Sequence, residues 1–110
     1  MKLYLDTSTS KTIMKLDENT YEWESGRDLA KHLLKFIHEK LQENGKDWQD
    51  IEEITFMSGP GSFTGLRIGA TVVNTLAEQL KVPLFNHRGE KVGLIMPEYG
   101  RPANITPPKK

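Results

Sequence analysis

The sequence predicts an α/β domain, a single lobe built on a mixed five-stranded sheet of order βββ-α-β-α-β with a C-terminal tail. Three observations predict it. The first 24 residues hold three short β-patterned runs divided by turn formers, two later stretches space their apolar residues at helical intervals, and a short apolar run follows each helix. With 110 residues there is room for one such domain and a working core, but not for two.

Residues 2–5 are apolar-rich and run into Asp6-Thr7-Ser8-Thr9-Ser10, a strand ending in a polar loop. Residues 12–16 form a second short strand, broken by Asp17-Glu18-Asn19. Thr20-Tyr21-Glu22-Trp23-Glu24 alternates β-formers with acids, the pattern of a half-exposed third strand. The period then changes. Asp28 is placed as an N-cap, Leu29, Leu33, Phe36, Ile37 and Leu41 follow at helical spacing, and Asn44-Gly45 stops the helix. Residues 54–57 read as a buried fourth strand. A loop dense in glycine and hydroxyls, residues 58–65, leads to a second helix over 65–80, and Val82-Pro83-Leu84-Phe85 is the fifth strand. Beyond Asn86 the chain thins in apolar residues. Residues 92–96 could add one more short strand, and the prolines and lysines of 101–110 read as a tail.

Lys+Arg and Asp+Glu stand at 15 each, so the formal net charge is zero. A domain that grips nucleic acid by bulk charge usually carries a clear basic excess, so binding of nucleic acid by bulk charge is not expected. There is no cysteine, which excludes disulfides, thiolate nucleophiles and cysteine-ligated zinc. The start Met1-Lys2-Leu3-Tyr4-Leu5-Asp6 meets an acid after three apolar residues. Neither a signal peptide nor a membrane span is expected, and the cytoplasm is the expected compartment.

The glycine-rich loop offers two roles. Ser62 or Thr64 can cap the helix that follows, making the loop a tight structural turn. Alternatively, Gly61, Ser62 and Thr64 could present N–H and hydroxyl groups to an anion, although no Gly-Lys-Ser/Thr follows and this is not a Walker A loop. Asp6 stands without a second acid or base, which makes a poor catalyst. His32 and His38 lie six apart and face different ways on a helix, so no metal site is assigned. No catalytic residue and no cofactor are expected.

Two stretches carry a family resemblance. Leu5-Asp6-Thr7-Ser8-Thr9 resembles the first strand and loop of the TsaB (YeaZ) proteins of tRNA N6-threonylcarbamoyladenosine (t6A) synthesis. Gly59-Pro60-Gly61-Ser62-Phe63-Thr64-Gly65-Leu66-Arg67-Ile68-Gly69 is similar to their signature almost letter for letter. The resemblance implies an actin/Hsp70-like (ASKHA) lobe over 1–88 and a partnership with TsaD, the related threonylcarbamoyl-transferring enzyme, in a heterodimer or larger complex. The chain would be its non-catalytic subunit. Met96-Pro97-Glu98-Tyr99-Gly100-Arg101 resembles the Pro-x-Tyr-x-Arg segment near the end of full-length members. The second lobe is therefore expected to be missing between about Arg88 and Val92, with 89–110 as a tail segment.

Both helices carry more apolar surface than covering a sheet requires. In the second helix Leu66, Val73, Ala77 and Leu80 form one stripe, and Ile68, Val72 and Leu76 another; in the first, Leu34 and Leu41 supplement the main face. Gly65 and Gly69, one turn apart, would let another backbone approach closely, or would fit the helix to its own sheet. Arg67 opposes the helix dipole and calls for a carboxylate or carbonyl partner. The expected docking face is thus Leu34, Leu41, Gly65, Leu66, Arg67, Gly69, Val72, Val73 and Leu76. It would serve the TsaD-like partner, or a second copy when the chain is alone. The competing readings are a homodimeric structural module and a small ATPase or peptidase.

Overall fold

The computed structural model describes residues 1–99. Strands β1 (Lys2–Asp6), β2 (Lys11–Leu16) and β3 (Asn19–Glu24) form an antiparallel meander. Its second turn is tied to the start of β1. Asp17 sits at φ 55°, its N–H donates to the Lys2 carbonyl at 2.9 Å, and its carboxylate accepts the Lys2 N–H at 2.8 Å. A short side chain that bonds locally is what the left-handed region tolerates.

A 3-10 turn (Gly26–Asp28) leads into α1 (Leu29–Glu43), whose Leu29, Leu33, Phe36, Ile37 and Leu41 are buried. Asp28 occupies the N-cap position but makes no side-chain capping bond. At the other end Gly45 takes φ 69°, and the Asn44 amide ties the Lys40 carbonyl (2.7 Å) to the Tyr21 hydroxyl (2.8 Å). The chain returns through a 3-10 turn (Trp48–Asp50) closed by a reciprocal cap between Asp47 and Asp50.

Strand β4 (Glu53–Phe56) then pairs in parallel with β1, α2 (Phe63–Leu80) crosses over, and β5 (Leu84–Phe85) pairs in parallel with β4. A sixth strand, β6 (Lys91–Val92), completes the order β3-β2-β1-β4-β5-β6, one strand more than the five expected. Its hairpin is held by one side chain. Asn86, almost fully buried, accepts the Arg88 and Glu90 N–H groups at 3.0 Å each, while Gly89 turns the chain at φ 80°.

Alternation along β1, β2 and β4 points Leu3, Leu5, Met14, Leu16, Ile54 and Phe56 to one face. There they meet Leu33, Ile37, Leu41, Leu66 and Val73, all with negligible exposure. Each such side chain contributes roughly 1.5–3 kcal/mol by leaving water. Residues beyond β6 are not a loose tail up to Tyr99, because Ile95 is 2% exposed and joins this same core. Expectations for Gly100 and Arg101, and for the tail beyond them, lie outside the described residues.

Candidate functional site

The two segments that carry the resemblance, far apart in sequence, fold onto each other. Thr7, fully buried after β1, donates its hydroxyl to the Gly65 carbonyl at 2.7 Å. The Ser62 N–H donates to the Ser8 carbonyl at 2.7 Å, and the Ser62 side chain caps α2 by accepting the Gly65 N–H at 3.1 Å. Asp6 accepts the Ser8 N–H (2.9 Å) and hydroxyl (2.6 Å), forming a strand-end turn.

The glycines explain how the two loops come so close. A Cβ on Gly61 would sit 2.5 Å from the Ser8 Cβ, one on Gly65 would collide with the Thr7 carbonyl oxygen, and one on Gly69 would strike the Thr7 hydroxyl and lie 2.6 Å from the Phe56 ring. Gly65 and Gly69 therefore fit α2 to its own sheet. Of the expected docking face, Leu41, Leu66 and Val73 are likewise inside the core, at 0% exposure. They belong to the stripe that covers the sheet, and the face left for a partner is correspondingly narrower. The Ser62 capping groups expected as anion donors are spent within the chain.

What remains outside is a shallow groove between α1 and α2. Ala30, Thr64, Arg67, Ile68, Thr71 and Val72 line it. Leu34 lies one turn beyond Ala30 on α1 and is 51% exposed; Leu76 lies one turn beyond Val72 on α2, half-buried. Ile68, Val72 and Leu76 form a second, half-buried apolar stripe that packs against the edge of the core, and Ile68 and Val72 still line the groove. Arg67 makes no ion pair among the described residues; its guanidinium lies 5.8 Å from the centre of the exposed Phe63 ring.

A strap, residues 93–99, crosses the glycine-rich loop, and sequence reasoning missed most of its anchors. The Asn74 side chain pairs with the Ile95 backbone, accepting its N–H at 2.7 Å and donating to its carbonyl at 3.2 Å. The Glu98 N–H donates to the Ser58 carbonyl at 2.6 Å, and its carboxylate receives two bonds from Arg88, at 2.9 and 2.7 Å. That pairing holds the Glu98 carboxyl below its ordinary value; Glu90 is also held low, first by Asn86 and then by Arg88. Gly59 has no Cβ where the Glu98 carbonyl passes. Beneath the strap His87 is half-buried with its Nδ1 2.8 Å from the Ser58 hydroxyl. A polar Asn74 within an apolar helix was the one available signal.

Among the described residues no group of three or more His, Cys, Asp or Glu is placed to hold a metal, and no helix is long and apolar enough to cross a membrane.

Fold and site together define the class: a βββαβα lobe whose first loop and glycine-rich helix start interlock, with an apolar groove on its outer helices. The family model described as "TsaD: tRNA N6-adenosine threonylcarbamoyltransferase" matches residues 23–86, and the chain belongs to that family, as one of its TsaB (YeaZ) members. The tRNA threonylcarbamoyladenosine biosynthesis protein TsaB of Haemophilus influenzae is 36% identical over 86 residues, covering 74% of this chain and 36% of that protein. TsaB of Bacillus subtilis is 42% identical over 48 residues, covering 44% of this chain and 21% of that protein. YeaZ from Pseudomonas aeruginosa superposes with a TM-score of 0.68 at 32% identity, over 77% of this chain and 42% of that one. The chain thus spans well under half the length of these relatives.

Proposed function

We propose that the chain serves t6A biosynthesis as a non-catalytic subunit that docks a TsaD-type protein on the α1–α2 groove. The observation that carries this reading is the second apolar stripe. Ile68, Val72 and Leu76 with Leu34 leave apolar surface on helices whose other faces already fill the core. A related lobe that presents an apolar helix face of its own is the kind of partner this surface fits. The non-catalytic part draws support from Asp6, whose carboxylate is engaged with Ser8, and from Ser62, which is spent as a helix cap. Contact with tRNA would pass through the partner, in keeping with the neutral charge balance.

The test is calorimetric titration of the chain with the TsaD protein of the same organism. Leu34→Glu should weaken the complex at least tenfold, roughly the effect of burying an unpaired charge at an interface, with melting near wild type, while Val72→Glu, whose side chain also packs on the core, should weaken the complex and lower melting as well. Absence of a complex with the wild-type chain, or indifference of its affinity to both substitutions, overturns the reading. ATP turnover by the purified chain that disappears in Asp6→Ala overturns its non-catalytic part.

A further inference from the structure

The next step rests on the docking reading and concerns how its one charged group is held. Arg67 lies exposed in the second turn of α2, and no carboxylate among the described residues pairs with it. It borders the apolar groove. A carboxylate on the docking lobe would complement a cation so placed.

Arg67 is not left to wander. Its guanidinium faces the ring of Phe63, 58% exposed, and that ring packs in turn against Tyr99 with centroids 4.3 Å apart. Tyr99 ends the strap that Asn74, Ser58 and Arg88 fasten to the domain. The contacts run unbroken from the strap through Tyr99 and Phe63 to Arg67.

We propose that the strap is a positioning element of the docking face: by seating Tyr99 on Phe63 it pre-sets Arg67 for a carboxylate on the rim of the docking lobe. A long side chain already restrained loses less freedom on binding, so the restraint is read as affinity. Tyr99 acts through Arg67 and need not touch the partner.

The same titration tests it. Arg67→Gln should weaken binding roughly tenfold, with the loss shrinking as salt rises. Tyr99→Ala should weaken it roughly three- to tenfold, the span an aromatic pair supplies, and Tyr99→Phe should restore it. The double variant Arg67→Gln/Tyr99→Ala should bind no worse than Arg67→Gln alone, because both changes remove one linked contact. Additive losses would show that Tyr99 acts independently of Arg67 and overturn the inference. If Tyr99→Ala also lowers the melting temperature, Phe63→Leu removes the stack at an exposed position and must give the same pattern. Indifference of the complex to both Leu34→Glu and Val72→Glu sinks the docking reading itself. Loss with Leu34→Glu but wild-type affinity with Tyr99→Ala sinks only the role of the strap.

Discussion

Gly69→Ala separates an internal glycine from an interfacial one with a single methyl group. The added Cβ would meet the Thr7 hydroxyl and sit 2.6 and 2.7 Å from two carbons of the Phe56 ring. Neither neighbour has an easy retreat. Phe56 and Thr7 are both fully buried, and the Thr7 hydroxyl holds the Gly65 carbonyl at 2.7 Å. Overpacking costs about 1–3 kcal/mol. Turning Thr7 away leaves a buried polar group unpaired, at about 1–3 kcal/mol more. Alanine returns about 1 kcal/mol in helix propensity. The net is roughly 1–5 kcal/mol of lost stability, and each kcal/mol lowers the melting temperature by about 4–8 °C in a domain near this size.

The assay is urea unfolding followed by the fluorescence of Trp23 and Trp48, with Thr7→Ala and the double variant completing a cycle. Thr7→Ala relieves the clash, so the double variant should be more stable than the two single losses predict. Unchanged unfolding of Gly69→Ala together with lost association would refute the reasoning, because Gly69 would then face a partner and not the sheet.

Three other outcomes follow from the strap and the groove. Asn74→Ala removes both partners of the Ile95 backbone and should cost about 1–3 kcal/mol, read as faster amide exchange at Ile95 with the α1 amides unchanged. The Glu98 and Glu90 carboxyls titrate below their ordinary values, so their contribution is complete above about pH 4.3, the unfolded value, and disappears as pH falls through the lower folded values. The side-chain carboxyl NMR signals of Glu98 and Glu90 should therefore shift only in acid below the ordinary glutamate range. Arg88→Gln should move that change toward the ordinary glutamate range; because the groups are exposed, the effect on stability should be small. Finally, an apolar groove with no partner in solution favours a two-fold pairing of the chain with itself, and light scattering should show mass rising with concentration; a monomer at high micromolar concentration counts against the groove as a docking face.

Strands and helices were legible because burial here is periodic. Thr12, Met14 and Leu16 alternate with less buried neighbours, and Leu29, Leu33, Phe36, Ile37 and Leu41 keep helical spacing, so the pattern alone set the meander and α1. Strand β6 and the strap were harder to see. Lys91–Val92 is too short for a period, and the strap is held by isolated residues, Asn74, Ser58 and Arg88, which leave no repeat in the sequence. The docking face was only half legible. Two apolar stripes on α2 could be counted, but which of them faced the sheet depended on the register of the helix over β4, and the Thr7–Gly65 contact fixes that register from the far end of the chain.

That contact also bears on what the family signature can and cannot explain. Leu5-Asp6-Thr7-Ser8-Thr9 and the run from Gly59 to Gly69 read as two motifs, yet they form one packed unit in which the small residues of one accept the backbone of the other. Glycine at 61, 65 and 69 is required by that packing whatever the chain docks. A signature satisfied internally predicts the fold of the lobe strongly and its partner only weakly. Specificity for a partner then has to reside in residues free of that packing, such as the exposed Leu34 and Arg67 on the outer helices, of which only Arg67 lies within the signature. Arg67→Gln should accordingly leave unfolding near wild type, since its side chain supports nothing in the core, while changing what the groove selects.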